Sequence, residues 1–303
     1  PPPFDKKIAD RFIAGIDVSE RTKNAYRAGV ICFLDWLDKH GIASPSREDI
    51  IRYKGSLKGM EANSISTYMV AVRAFFVWCE SVKIYPNVSR GIKGAKRVMG
   101  FRKDILTIDQ ISSLINSIDR TSLWGLRDYA MLNLMLRSGL RTIELSRADI
   151  NDIKQEGGKT ILYVIGKGRD AKDAFVVITD NVLCAIKDYI HARKTDEPAA
   201  PLFAAHDETH AGRRLSAAAV SKIVKKRLRR AGIDSNRLTA HSFRHTAITL
   251  AIKAGASILA VKEMARHSDV NTTLIYARVL DRIENAPENK IDDMLKGWYE
   301  GNN

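Results

Sequence analysis

Arg141, Lys167, His241, Arg244 and His267 can each hold a phosphate or move a proton, and they precede Tyr276, a phenol able to attack phosphorus. In that order they supply the parts of a metal-free displacement at a phosphodiester. Fixed cations meet the charge that builds on the non-bridging oxygens, proton carriers serve the entering and leaving oxygens, and the phenol is the nucleophile. No member is informative alone. Nine tyrosines are spread over 303 residues, and an isolated tyrosine belongs more often to a core than to a reaction, so the weight lies in the combination.

The local contexts fit such roles. In SGLRTIEL, Gly139 permits a sharp break after one helix and Arg141 opens the next, with Glu144 one turn later to hold the guanidinium from behind. His241 and Arg244 in HSFRH are three apart at a helix start, so both project on one face, and the unpaired N–H groups of such a terminus favour a nearby phosphate. Lys167 lies between Gly166 and Gly168 at an expected hairpin tip, from which a long amine can enter a groove and donate a proton; Lys172 is the second choice for that acid. Arg169 and Lys172 read as contacts to a phosphate backbone. His267 ends a helix before Ser268-Asp269-Val270-Asn271, and Tyr276 follows nine residues later, one turn into the next helix.

The elements that must position these groups are mainly helical. Tyr26, Val30, Phe33, Leu34 and Leu37 recur at helical spacing between Ser19 and Gly41; Ser46 to Leu57 opens on a Ser-x-x-Asp cap; and Ile65, Met69, Val72 and Phe76 share one face of Asn63 to Val82. Residues 1–88 therefore read as a small helical bundle. Residues 89–104, rich in Gly and basic side chains without periodicity, read as a linker able to cross a DNA backbone. Thr107-x-x-Gln110 caps the start of a second domain, residues 105–303. It should hold helices over Ile108 to Ser117, Leu123 to Ser138, Asn181 to Arg193, Ser216 to Ala231, Ser242 to Ala254, Ile258 to Ala265 and Thr272 to Val279. Thr160 to Ile165 and Ala174 to Thr179 should form a hairpin or three-stranded sheet. Pro287 starts a final helix, about 287–299, with Ile291, Met294, Leu295 and Trp298 on one side, a stripe that must be buried on its own domain or in a neighbour's groove.

The charge balance points to a polyanionic partner. Lys and Arg outnumber Asp and Glu by 49 to 35, for a net +14 and a pI near 9.7; up to Asp104, 19 basic residues face 11 acidic ones. Seven basic residues lie from Lys83 to Lys103, among them Lys93, Lys96, Arg97, Arg102 and Lys103, with no acid between Glu80 and Asp104. A second run includes Lys225, Lys226, Arg227 and Arg229, spread around its helix. Contacts on that scale imply steeply salt-dependent binding. Cys32, Cys79 and Cys184 lack metal or disulfide spacing and read as small core residues in a reducing cytoplasm. No apolar run reaches the ~20 residues of a membrane span. The chain opens Pro1-Pro2-Pro3 without Met, so upstream residues, with room for a further DNA-binding domain, are expected.

These segments together resemble the tyrosine recombinase (phage integrase) family. SGLRTIEL is similar to its first arginine box, GKGRDAK to its β-hairpin lysine segment, HSFRHT to its His-x-x-Arg box, and ARHSDVNTTLIYAR to its His-to-nucleophile segment. The likeness covers essentially the whole chain. One departure is Arg266, where the family commonly has Gly, which bears on local backbone geometry rather than on chemistry. The resemblance implies a SAM-like N-terminal bundle followed by an α+β catalytic domain with a small antiparallel sheet. It implies that Tyr276 forms a 3′-phosphotyrosyl bond, that Arg141 and Arg244 neutralise the transition state, and that Lys167 protonates the departing 5′-oxygen. His241 would accept or orient the phenolic proton, His267 would bond a non-bridging oxygen, and Glu144 would support Arg141. It also implies double-stranded DNA with specific core sites as partner, a homo-tetramer on two duplexes that passes C-terminal helices between protomers, room for accessory DNA-bending proteins, and no cofactor.

Site-specific recombination through a Holliday junction is the first functional reading. A type IB topoisomerase, which shares the nucleophile and phosphate-holding groups but works as a monomer, is the second. A DNA-binding regulator that only grips phosphates is the third, and it predicts no covalent adduct. Target sequence, and the choice among integration, dimer resolution and inversion, are not written in these patterns.

Overall fold

Apolar side chains at helical spacing, most runs opened by a hydroxyl or carboxylate cap, generate nearly all of the architecture. The computed structural model describes residues 4–95, 104–166, 171–195 and 197–300, the last four by backbone alone. Two compact units divide between residues 99 and 100.

The first unit contains α1 (Lys6–Ala14), α2 (Glu20–Lys39), α3 (Arg47–Ser56) and α4 (Ala62–Ser81). Ser19 caps α2, and Ser46 and Asp49 form a reciprocal capping box on α3. The core is aromatic: Phe12 meets Phe75 edge to face at 5.6 Å, and Phe33 meets Tyr53 at 5.0 Å. Helices α2 and α4 cross at Gly29, where an added Cβ would lie 2.6 Å from the Cβ of Ala71, so only glycine permits this approach. The segment expected as a linker departs from that reading over residues 89–95. Ser89 and Ile92 are buried, Ile92 within the aromatic core, and Arg73 donates to the Ile92 carbonyl at 3.1 Å. An apolar side chain inside a basic, glycine-containing stretch anchors it to the bundle. Lys93 remains exposed. Lys96, Arg97, Arg102 and Lys103 lie outside the described residues.

The second unit begins with α5 (Ile108–Asn116), α6 (Leu123–Ser138) and α7 (Thr142–Arg147). An antiparallel sheet follows in the order β1 (Ile153–Glu156), β2 (Lys159–Val164), β3 (Ala174–Ile178), with Leu162 opposite Val176. Then come α8 (Asp180–Arg193), α9 (Ala217–Arg230), α10 (Ala240–Lys253), α11 (Ile258–Ala265), α12 (Val270–Glu284) and α13 (Pro287–Glu300). Helix α6 is the hub: Met131, Leu132, Leu134 and Met135 are almost wholly buried, and the helix packs on α8 and α10. Asp128 of α6 lies between two buried guanidiniums, Arg127 at 2.7 Å and Arg227 of α9 at 2.6 Å. Such a triad is costly to desolvate but fixes which faces of α6 and α9 meet. Arg227, counted in the basic run, is therefore a core ion and not a surface cation.

A smaller apolar cluster of Ile248, Val261, Ala265 and Tyr276 joins α10, α11 and α12. Cys79 is in the first core, but Cys184 is exposed, correcting its reading as a core residue. Among the described residues no helix is long and apolar enough to cross a membrane.

Candidate active site

Three helix boundaries meet where the chemistry-bearing residues converge. Helix α6 ends at Gly139, whose left-handed backbone (φ +60°) turns the chain so that Arg141 becomes the N-cap of α7. From there the Arg141 backbone N–H donates to Glu144 Oε2 at 2.7 Å and Nη1 donates to Glu144 Oε1 at 2.7 Å. Glu144 thus serves as cap and counter-ion at once, as its position three residues on allows. On α10, Thr239 is the N-cap, and Arg244 is buried with Nη1 donating to the Gly139 carbonyl at 2.7 Å.

The two arginines, 103 residues apart in sequence, are tied to consecutive carbonyls at the end of α11. Arg244 Nη2 donates to Ala265 O, and Arg141 Nη2 donates to Arg266 O at 3.3 Å. His267 follows immediately, its Nδ1 paired with the buried hydroxyl of Thr273 at 2.8 Å, which leaves Nε2 as the nitrogen to meet a ligand. Tyr276 is 6% exposed within the α10–α12 cluster, and its hydroxyl shares a hydrogen bond with Nδ1 of His245. The rings of His241 and His245 meet edge to face at 4.6 Å, as residues four apart on one helix must.

The electrostatics are those of a pocket with excess positive charge. Burial, reinforced by the charges of Arg141 and Arg266, pulls Arg244 down to about 9, still protonated at neutral pH. Burial and the three neighbouring arginines bring His267 to about 4, so its imidazole is neutral in the free protein. Burial pushes the Tyr276 phenol up to about 12, against a lowering pull from Arg244. Burial opposes ionisation of Glu144, yet hydrogen bonds and charge from Arg266 and Arg141 outweigh it and hold the carboxyl below its usual range.

The depressed His267 sets a pH test. Unfolded chains take up its proton near 6.5 while the fold resists until about 4, so its contribution to stability is present above the upper value and is lost as pH falls through that window. A phosphate on the pocket would raise this histidine and reverse the dependence. Melting curves of the free protein and of its DNA complex between pH 7 and 5 should therefore diverge, and His267→Gln should narrow the gap.

Not every expected site residue joins the cluster. Lys167 and Arg169 lie outside the described residues. Lys172, the second choice for the proton donor, has its ammonium 2.6 Å from Asp152 and 3.0 Å from Asp149, an ion-pair network that fastens the strand entry. Those carboxylates hold its ammonium in the protein without DNA. On α9, Lys226 and Arg229 are exposed beside a shallow basic groove, whereas Lys225 donates to the Ser235 carbonyl.

Two residues of the cluster were missed. His245 was discoverable, being four after His241 and therefore on the same helical face. Arg266 was flagged only as a departure from a family glycine. The structure gives both halves of that fact: it is the left-handed C-cap of α11 (φ +53°), a conformation costing a non-glycine residue roughly 1 kcal/mol. Its guanidinium pairs with Glu144 Oε2 at 2.7 Å.

Two guanidiniums on one short backbone segment, near a histidine and a phenol, make an arrangement able to hold an anion close to an oxygen nucleophile. The phage integrase family model matches residues 104–282, and the phage integrase N-terminal SAM-like domain matches residues 11–83. The chain belongs to the phage integrase family, the tyrosine recombinases, enzymes that cleave and rejoin DNA. Among relatives, it is 28% identical to a tyrosine recombinase XerD of Staphylococcus epidermidis, covering 86% of this chain and 89% of that protein. It is 35% identical over 179 residues to a XerC of Caldanaerobacter subterraneus, covering 58% and 47% respectively. Among solved structures, XerH recombinase on palindromic difH substrate matches with a TM-score of 0.70 at 17% identity, over 88% of this chain and 80% of that one. The Tn1549 transposon integrase with circular intermediate DNA matches with a TM-score of 0.70 at 18% identity, over 90% and 94%. At those identities the structural matches establish the fold, a SAM-like bundle and a mainly helical catalytic unit with one small sheet.

Proposed function

We propose that this chain exchanges DNA strands at specific core sites through Tyr276. The phenolic oxygen bonds to the scissile phosphorus, the bond from phosphorus to the 5′-oxygen breaks, and a 3′-phosphotyrosyl ester remains. Arg141 and Arg244 bind the non-bridging oxygens, where bidentate donors fixed in advance stabilise the transition state most. His267 bonds one of those oxygens through Nε2, His241 receives the phenolic proton, and Lys167 protonates the departing 5′-oxygen. The observation that carries this reading is the shared anchorage of both arginines on the carbonyls of residues 265 and 266, beside His267 and within electrostatic reach of Tyr276. Because the ester conserves the bond energy, a 5′-hydroxyl from another duplex can reverse the step without a nucleotide cofactor. A suicide substrate that loses its 5′-hydroxyl fragment after cleavage tests it: the protein should become covalently attached, with the adduct mapped to Tyr276, and two intact duplexes should yield Holliday junctions. Relaxation without junctions would point instead to a topoisomerase.

Assembly follows from α13. Ile291, Met294 and Leu295 are exposed on it, while Ile105, Val279, Leu280 and Ile283 line an apolar groove of about 350 Å³ beside Tyr276. Helix α13 of a neighbouring protomer is the fitting occupant, which supports a tetramer on two duplexes. Trp298, expected on the same stripe, has a side chain outside the described residues. Truncation after Ala286 should lower paired-duplex complexes in native gels by roughly tenfold or more while single-site cleavage persists; undiminished pairing would sink the exchange. Lys93, Lys226 and Arg229 are exposed and suited to phosphate contacts, and a DNA-bound cytoplasmic protein, aided by DNA-bending partners, is the setting that fits.

A further inference from the structure

We infer that Arg266 is a positioning residue for cleavage, acting through Glu144 on Arg141; this rests on the recombinase reading above. Glu144 is wholly buried, and each of its oxygens faces an arginine: Oε1 accepts from Arg141 Nη1 at 2.7 Å and Oε2 from Arg266 Nη2 at 2.7 Å. A carboxylate clamped from both sides cannot rotate away from Arg141, so the orientation of Arg141 is set from behind. The same geometry settles the charge. With Arg141 alone, Glu144 would cancel the cation meant for the phosphate. With Arg266 sharing it, the trio keeps a net positive charge, and Arg244 adds another.

Backbone geometry argues that the side chain is there for this contact. The position is left-handed, where glycine would be unstrained, yet the chain carries an arginine whose side chain is 9% exposed and whose guanidinium also donates to the Met264 carbonyl at 2.5 Å. A solvated C-cap would need neither the burial nor the pair. Arg266 therefore acts through Glu144, whose position in turn sets that of Arg141.

Arg266→Gly removes the clamp while relieving the backbone, and the melting temperature measured beside the rate separates positioning from folding. Against wild type and Arg266→Lys, three quantities are measured: unfolding temperature, affinity for a core-site duplex, and single-turnover cleavage of a suicide substrate. Arg266→Gly should melt modestly lower than wild type, because the lost pair with buried Glu144 outweighs the relieved backbone, and bind DNA within roughly threefold, yet cleave roughly 10- to 100-fold more slowly, with Arg266→Lys recovering part of the rate. Wild-type cleavage by Arg266→Gly overturns the inference. So does a loss that Arg266→Lys does not lessen and that follows a drop in melting temperature. If wild type itself forms no adduct, the recombinase reading fails first, an outcome distinct from either.

Discussion

Tyr276→Phe abolishes covalent capture of cleaved DNA and leaves the fold and DNA affinity nearly intact. The substitution deletes one oxygen from a ring held by Ile248, Val261 and Ala265, so the apolar contacts survive. The hydrogen bond to His245 is lost, a change of about 1 kcal/mol. The guanidiniums of Arg141 and Arg244 are untouched, so the salt dependence of binding should not move. The rate effect is far larger: removal of a nucleophile costs on the order of 10⁴-fold or more. The phenol raised to about 12 adds a second expectation. Wild-type cleavage should rise with pH through the neutral range if loss of the phenolic proton limits the rate, because a larger fraction is then ionised. Adduct formation at undiminished yield in Tyr276→Phe, mapped to another tyrosine, would refute the assignment.

Much of this was legible because the informative signals are local. The span of α6 was read to the residue, since Ser122 caps its start and Gly139 supplies the left-handed exit. The capping boxes at Ser46 and Thr107 placed α3 and α5 in the same way. Helix α1 was missed: it has only nine residues and follows a proline tract that reads as a tail, although Asp5 caps it. Strand β1, Ile-Lys-Gln-Glu, was not named because it is largely exposed and lacks apolar alternation; pairing with β2, not its own pattern, makes it a strand. Helix α12 runs past Val279 to Glu284, where charged side chains dilute the apolar period.

The site divides along the same line. Arg141 with Glu144, and His241 with Arg244, announce themselves by helical spacing. The contact between Arg266 and Glu144 spans 122 residues, and no periodicity encodes it. It arises because the left-handed cap of α11 turns a side chain back toward the start of α7. Lys172 shows the same limit: a lysine in a basic, glycine-rich turn reads as a backbone contact or proton donor, and nothing in its neighbourhood announces that Asp149 and Asp152, some twenty residues earlier, hold its ammonium.

Arg244→Lys is the more revealing of two substitutions at that arginine. In Arg244→Ala the buried carbonyl of Ala265 loses the Arg244 donor and that of Gly139 loses its shortest one, a cost of about 1–3 kcal/mol partly offset by relief of repulsion from Arg141 and Arg266. Cleavage should fall on the order of 10³-fold, as when a preorganised donor to a developing oxyanion is removed. Lysine keeps the charge but not the fork, and a single ammonium cannot hold both carbonyls and also face a phosphate. It also enters surroundings that already pull a guanidinium from 12.5 to about 9. The same burial and neighbours acting on an amine normally near about 10.4 would bring it to roughly neutral pH. Cleavage by Arg244→Lys should therefore decline as pH rises from 6 to 8, opposite in sign to the wild-type trend expected from Tyr276. A pH series of single-turnover rates distinguishes them. Parallel profiles for the two proteins would mean that Arg244 is an anchor for the α6–α7 turn and not a charge offered to the phosphate.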